Sequence, residues 1–264
     1  MTQIAVIGAG MMGEALLAGL LRAGRPADSV LVGEKRPERA AELTERYAVR
    51  VVDNVGAAAA DTVVLVVKPQ DVPGVLTEIA PSLRPGQLVV SLAAGITIAA
   101  IEALVPDGVA VIRVMPNTPA LVGQGMAALS PGTHCSDAQL AEATELLSAA
   151  GRTVVVPEKQ QDAVTAVSGS GPAYVFLVAE AMIEAGVHLG LPRATAHELA
   201  VQTLLGAATM LSESGDHPAL LRENVTSPAG TTAAALGRLE AHGLRAAFLD
   251  ALRAAHDRSV ELGG

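Results

Sequence analysis

The chain has 264 residues, half of them apolar, 17% charged and only 2% aromatic, with a formal net charge of −9. That apolar content supports a folded core and opposes disorder, and the length suggests one or two domains of about 150 residues. The acidic balance and the lack of aromatic platforms exclude a base-stacking nucleic-acid binder and oppose docking on an anionic membrane.

The opening residues carry no basic leader, and the one uncharged run that reaches the ~20 residues of a membrane span, 114–136, is broken by Pro116, Pro119, Pro131 and several polar residues, so a soluble cytoplasmic protein is expected. Short β-branched runs at 3–7, 30–34, 50–52, 63–67, 88–91, 109–113 and 153–156 read as strands. Helical patterns at 12–23, 37–47, 72–82, 98–104 and 137–149 separate them. This alternation predicts a parallel sheet covered by helices on both faces. After Glu158 the strands stop, and helices are expected at 160–167, 172–189, 192–213, 218–224, 231–242 and 244–262. Pro172, Pro192 and Pro218 stand at helix starts, where a missing N–H costs nothing. The expected fold class is α/β: an N-terminal Rossmann-like doubly wound parallel sheet over residues 1–158, then a C-terminal all-helical domain over 159–264.

Gly8-Ala9-Gly10-Met11-Met12-Gly13 has the spacing G-x-G-x-x-G between a strand and a helix. Gly8 suits the tight turn, Gly10 a close approach to a pyrophosphate, and Gly13 close helix packing, with the phosphates at the helix N-terminus. Glu34 follows Gly13 by about 20 positions, where an acid holds an adenosine ribose hydroxyl. Lys35 and Arg36 would instead favour a 2′-phosphate, so the two signals conflict. Lys68-Pro69 and Ala93-Ala94-Gly95 follow later strands, at the sheet edge where ligands bind.

Cys135 is the single cysteine, which excludes an internal disulfide and a cysteine-cluster metal site. The histidines, at 134, 188, 197, 217, 242 and 256, show no metal-ligand spacing, and no metal is expected. Lysines occur only at 35, 68 and 159. A hydroxy-acid dehydrogenase needs a base for the alcohol proton, so the scarcity of candidates favours a substrate needing little proton transfer. Two glycine motifs break the helical half. Ser168-Gly169-Ser170-Gly171-Pro172-Ala173-Tyr174 reads equally as a ligand-facing helix start or a tight helix–helix turn. In Val225-Thr226-Ser227-Pro228-Ala229-Gly230-Thr231-Thr232, the amides of Gly230, Thr231 and Thr232 and the hydroxyls of Ser227, Thr231 and Thr232 would hold a small carboxylate. A plain Ser or Thr N-cap fits that segment as well.

These motifs, with Val67-Lys68-Pro69 and Arg113-Val114-Met115-Pro116-Asn117-Thr118-Pro119 in the same order, resemble pyrroline-5-carboxylate reductase, the last enzyme of proline synthesis. The similarity covers almost the whole chain, and residues 221–240 resemble the family signature, with Ala229 where the family more often has a second glycine. The resemblance implies reduction of 1-pyrroline-5-carboxylate to L-proline by NADPH, with NADH as the second candidate. A cyclic imine is already electrophilic at carbon once protonated, so orientation and charge placement carry the catalysis. The resemblance gives Thr232 the catalytic hydrogen bond to the ring nitrogen, and Ser227, Gly230 and Thr231 the substrate carboxylate. It gives the cofactor residues 8–13, Asn54, Val67, Lys68, Pro69, Leu92, Ala93 and Ala94. It further implies a homodimer through the helical domain, with residues 225–232 completing the partner's site, and decamers in some members. Two alternatives stand beside it. A hydroxy-acid dehydrogenase of related layout predicts a lysine after the second domain's glycine turn, and residues 168–264 hold none. A non-catalytic dinucleotide sensor is the other, since fold alone does not fix function.

Overall fold

The structure, a computed structural model, describes residues 2–263. Eight strands form one sheet: β1 (Ile4–Ile7), β2 (Val30–Gly33), β3 (Arg50–Val52), β4 (Thr62–Leu65), β5 (Leu88–Ser91), β6 (Ala110–Met115), β7 (Gly125–Pro131) and β8 (Gly151–Val155). Their order is β3-β2-β1-β4-β5-β6-β7-β8. All pairs are parallel except β6 with β7. Strand order reverses between β1 and β4, which sets the ligand crevice beyond the carboxyl ends of those two strands.

Alternate side chains of the central strands pack on opposite faces. Ala5, Ile7, Val63, Leu65 and Val89 pack with Leu76 and Ile79 of α4 (Val72–Ile79). Ile4, Val64, Val90 and Ile112 pack with Leu16 and Leu20 of α1 (Met11–Arg22) and Leu146 and Leu147 of α6 (Asp137–Ser148). Burial on both faces explains why β1, β4 and β5 are nearly continuous apolar runs. Each such Leu or Ile contributes about 1.5–3 kcal/mol by leaving water.

Most expected elements are present, and the departures have physical causes. Strand β7 was not expected, because Gly-Met-Ala-Ala-Leu-Ser-Pro has little β-branched character, and it forms by pairing Leu129 with Val114 and Ser130 with Arg113. It makes the sheet mixed rather than wholly parallel. A short helix α3 (Asn54–Ala57) was also unexpected; Asp53 caps it, accepting from the Gly56 amide at 2.7 Å. The strand expected at 63–67 ends at Leu65, so Val66 and Val67 lie in the following loop. The remaining sheet-half helices are α2 (Pro37–Tyr47) and α5 (Ile98–Glu102).

By contacts the chain forms two units. One runs to Ser170 and includes the chain's end from Ala255; the other is Gly171–Ala254. In the first, α7 (Gln161–Val164) passes into a π-helical turn, Thr165–Gly169. Asn117 Nδ2 donates to the Ser168 carbonyl and hydroxyl at 3.2 Å, tying that turn to the segment after β6. The second unit is helical: α8 (Gly171–His188), α9 (Arg193–Ser214), α10 (Pro218–Asn224), α11 (Thr231–Ala241) and most of α12 (Leu244–Leu262). Phe176, Leu177, Leu199, Leu205 and Leu249 are exposed on it. The run Glu158–His188 is long and apolar enough, by length and composition, to cross a membrane. It was not expected, because Asp162 and Glu180 bound its longest uncharged part, which is shorter than a span. It contains the Gly169-Ser170-Gly171-Pro172 break, and one such run is weak evidence of a span.

Candidate active site

The glycine loop is built around two close approaches. Gly8 has φ of +97°, and a Cβ there would lie 2.8 Å from Val67 and 2.9 Å from Val66. A Cβ on Gly13, within α1, would lie 2.1 Å from the Gly8 carbonyl oxygen. Gly8 therefore lets the loop pass close to the chain after β4, and Gly13 lets the first turn of α1 press on the loop. Gly10 has open space where its Cβ would be, so a pyrophosphate has access to the backbone. No side chain caps the N-terminus of α1, which leaves first-turn amides for an anion.

Helix α2 braces this loop. Arg39 Nε donates to the Ala9 carbonyl at 3.1 Å, and its guanidinium also pairs with Glu14 and Glu42. Arg46 and the Tyr47 hydroxyl each donate to Glu14 Oε1 at 2.8 Å. The Arg39 hydrogen bonds, followed by that of Tyr47, hold the Glu14 carboxyl below its usual range against the opposing effect of burial.

A cleft of about 800 Å³ lies at the switch point, bordered by Gly8, Ala9, Gly10, Glu34, Lys35, Arg36, Asn54, Val67 and Lys68. Both Glu34 oxygens accept from Arg36, through its backbone N–H at 2.9 Å and its Nε and Nη2 at 3.0 Å. That pairing lowers the Glu34 pKa. Glu34 is thus committed to its neighbour rather than presented to a ribose. Lys35 Nζ and Asn54 Nδ2 both donate to Glu78 Oε2, at 2.8 and 2.9 Å. Glu78 was not anticipated; it comes from α4, and no local motif links it to residues 35 and 54.

A second cavity of about 230 Å³ shares Val66, Val67 and Lys68 with the first. Met12, Leu92, Ala94, Met115 and Pro116 complete its wall. In the sequence, Met115 and Pro116 belong to the 113–119 motif, which assigns them no role. Met11, Gly13, Pro69 and Ala93 line neither cavity; Met11 is exposed and Ala93 is buried. The glycine cradle and the two adjoining cavities fit a dinucleotide extended across the sheet edge.

In the helical unit, residues 225–232 join α10 to α11. Thr226 closes the loop, its hydroxyl donating to the Arg222 carbonyl at 2.6 Å. The Gly230 amide donates to the Ser227 carbonyl at 3.1 Å, so it is not free for a ligand. The Thr231 and Thr232 amides stand in the first turn of α11, whose N-terminus no side chain caps. A Cβ on Gly230 would lie 2.3 Å from Ser227 Oγ, so glycine there lets that hydroxyl sit close to the helix start. Ala229 adopts a left-handed φ of +55°.

Comparison with known proteins agrees with both halves. Residues 158–262 match the family model "Pyrroline-5-carboxylate reductase dimerisation", and residues 3–95 match "NADP oxidoreductase coenzyme F420-dependent". A pyrroline-5-carboxylate reductase from Corynebacterium melassecola is 51% identical, covering 100% of this chain and 99% of its own. Two solved structures align along the whole chain. The Coxiella burnetii pyrroline-5-carboxylate reductase has a TM-score of 0.96 at 37% identity, covering 100% of this chain and 99% of that one. The Plasmodium falciparum enzyme with NADP bound has a TM-score of 0.88 at 30% identity, covering 100% and 98%. The chain belongs to the pyrroline-5-carboxylate reductase family.

Proposed function

We propose that this chain reduces 1-pyrroline-5-carboxylate to L-proline with NAD(P)H, the final step of proline biosynthesis. The observation that carries this reading is the 51% identity over the full chain. Bound NAD(P)H supplies a hydride from its nicotinamide ring. The chain's own residues bind and orient. Gly8, Gly10 and the first turn of α1 take the pyrophosphate, while Lys35, Arg36 and Asn54 lie at the adenosine end. Met12, Leu92, Ala94, Met115 and Pro116 form an apolar wall that excludes water from the nicotinamide.

In the helical half, the Thr231 and Thr232 amides and the Ser227 hydroxyl would hold the substrate carboxylate. The Thr232 hydroxyl would hydrogen-bond the ring nitrogen, and Gly230 contributes by keeping Ser227 close. We assign cofactor binding to residues 1–158, and association and substrate binding to 159–264. The helical part mediates oligomerisation; a homodimer in the cytoplasm is the proposed form, with decamers as a further level of assembly.

Thr232→Ala should lower kcat/KM for pyrroline-5-carboxylate by roughly ten- to a hundredfold, the scale of one hydrogen bond to a charged group. Cofactor affinity should stay unchanged, and Thr232→Ser should restore most of the activity. Wild-type kinetics in Thr232→Ala would remove the residue from its role.

A further inference from the structure

The adenosine end of the larger cleft carries two cations and two anions. Arg36 is forked onto Glu34, whose side chain is only 7% exposed. Lys35, 64% exposed, pairs with Glu78, which is 33% exposed. A lysine ammonium has three donors, and the contact with Glu78 uses one. Lys35 can therefore still meet a phosphate. The Glu78 carboxylate, however, stays within hydrogen-bond distance of the same ammonium. A 2′-phosphate brings close to two negative charges to that spot at neutral pH, whereas a ribose hydroxyl brings none.

We propose that Glu78 is a specificity-determining residue, keeping a negative charge beside the place Lys35 offers to a 2′-phosphate and so holding down the preference for NADPH over NADH. The inference rests on reading the cleft as the dinucleotide site. Lysine attracts phosphate as a point charge on a flexible stem, so it needs no tether to do so. Glu34 is a poorer lever, because removing it also releases Arg36. Glutamine at position 78 keeps an oxygen that accepts from Asn54 and Lys35, so Glu78→Gln changes charge with little change in shape.

The test is calorimetric binding of ADP-ribose and 2′-phospho-ADP-ribose, which lack nicotinamide and cannot turn over. Glu78→Gln should bind the phosphorylated ligand about three- to tenfold more tightly, and the gain should shrink at high salt. ADP-ribose should change by less than about twofold. Lys35→Met should weaken the phosphorylated ligand alone. An unchanged ratio between the two ligands in Glu78→Gln, or a fall in relative affinity for the phosphorylated one, would overturn the proposal. If the wild-type chain bound neither ligand, the dinucleotide reading of the cleft would fall instead.

Discussion

Like Ala48, Ala229 is at odds with its backbone. Its φ of +55° lies in the left-handed region, where a side chain with a Cβ costs roughly 1–2 kcal/mol. Ala229→Gly should therefore raise stability by up to about 1 kcal/mol, less the entropy glycine adds to the unfolded chain. A urea midpoint measures it, and a fall would mean that the methyl group makes contacts worth more than the strain. The glycine loop was legible in the sequence because glycine spacing is a local signal, although Gly8 makes room for Val66 and Val67 and only Gly13, five residues on, makes room for the loop's own carbonyl. Glu78 was not legible, since it meets Asn54 and Lys35 from 24 and 43 positions away. The intended partner of Glu34 was ambiguous for a related reason. Spacing located the carboxylate but could not show that Arg36, two residues on, occupies it.

At the scale of elements, the bracket between α1 and α2 joins the phosphate loop to the rest of the sheet half. Glu14 lies in the first turn of α1 and takes hydrogen bonds from Arg39, Arg46 and Tyr47. Its carboxyl titrates below the usual range when folded. A group depressed in this way stabilises the fold above its unfolded pKa, and that contribution is lost as the pH falls through the folded one. Glu14→Gln should thus flatten the loss of stability between roughly pH 5 and pH 3. Urea midpoints across that range read it directly, and an unchanged slope would show that the bracket contributes nothing to acid stability. The two missed elements differ in cause: Asp53 caps the short α3 locally, whereas β7 depends on its neighbours. Strand β7 exists because β6 and β8 flank it, and its own composition gives no strand signal. Where an element depended on its own residues, as in α2 and α10, the expected bounds match.

Across the whole molecule, the two units differ in how they use apolar residues. The sheet unit buries them, with β1, β4 and β5 almost fully covered. The helical unit leaves Phe176, Leu177, Leu199 and Leu249 exposed in the single chain, and its segment matches a dimerisation model. Large exposed apolar surface of this kind marks an interaction site. The change from alternating strands to helices alone was readable along the chain, whereas the return of the chain's end, from Ala255, to the sheet unit was not. Ser259 makes that return specific by donating to Asp162 at 2.7 Å, a contact across 97 positions.

The most direct test of the account follows reduced-nicotinamide absorbance with the purified chain and 1-pyrroline-5-carboxylate, with proline quantified in the same samples. The account predicts oxidation that depends on the imine and yields one proline per cofactor consumed. Oxidation that ignores the imine, or that yields no proline, would contradict it.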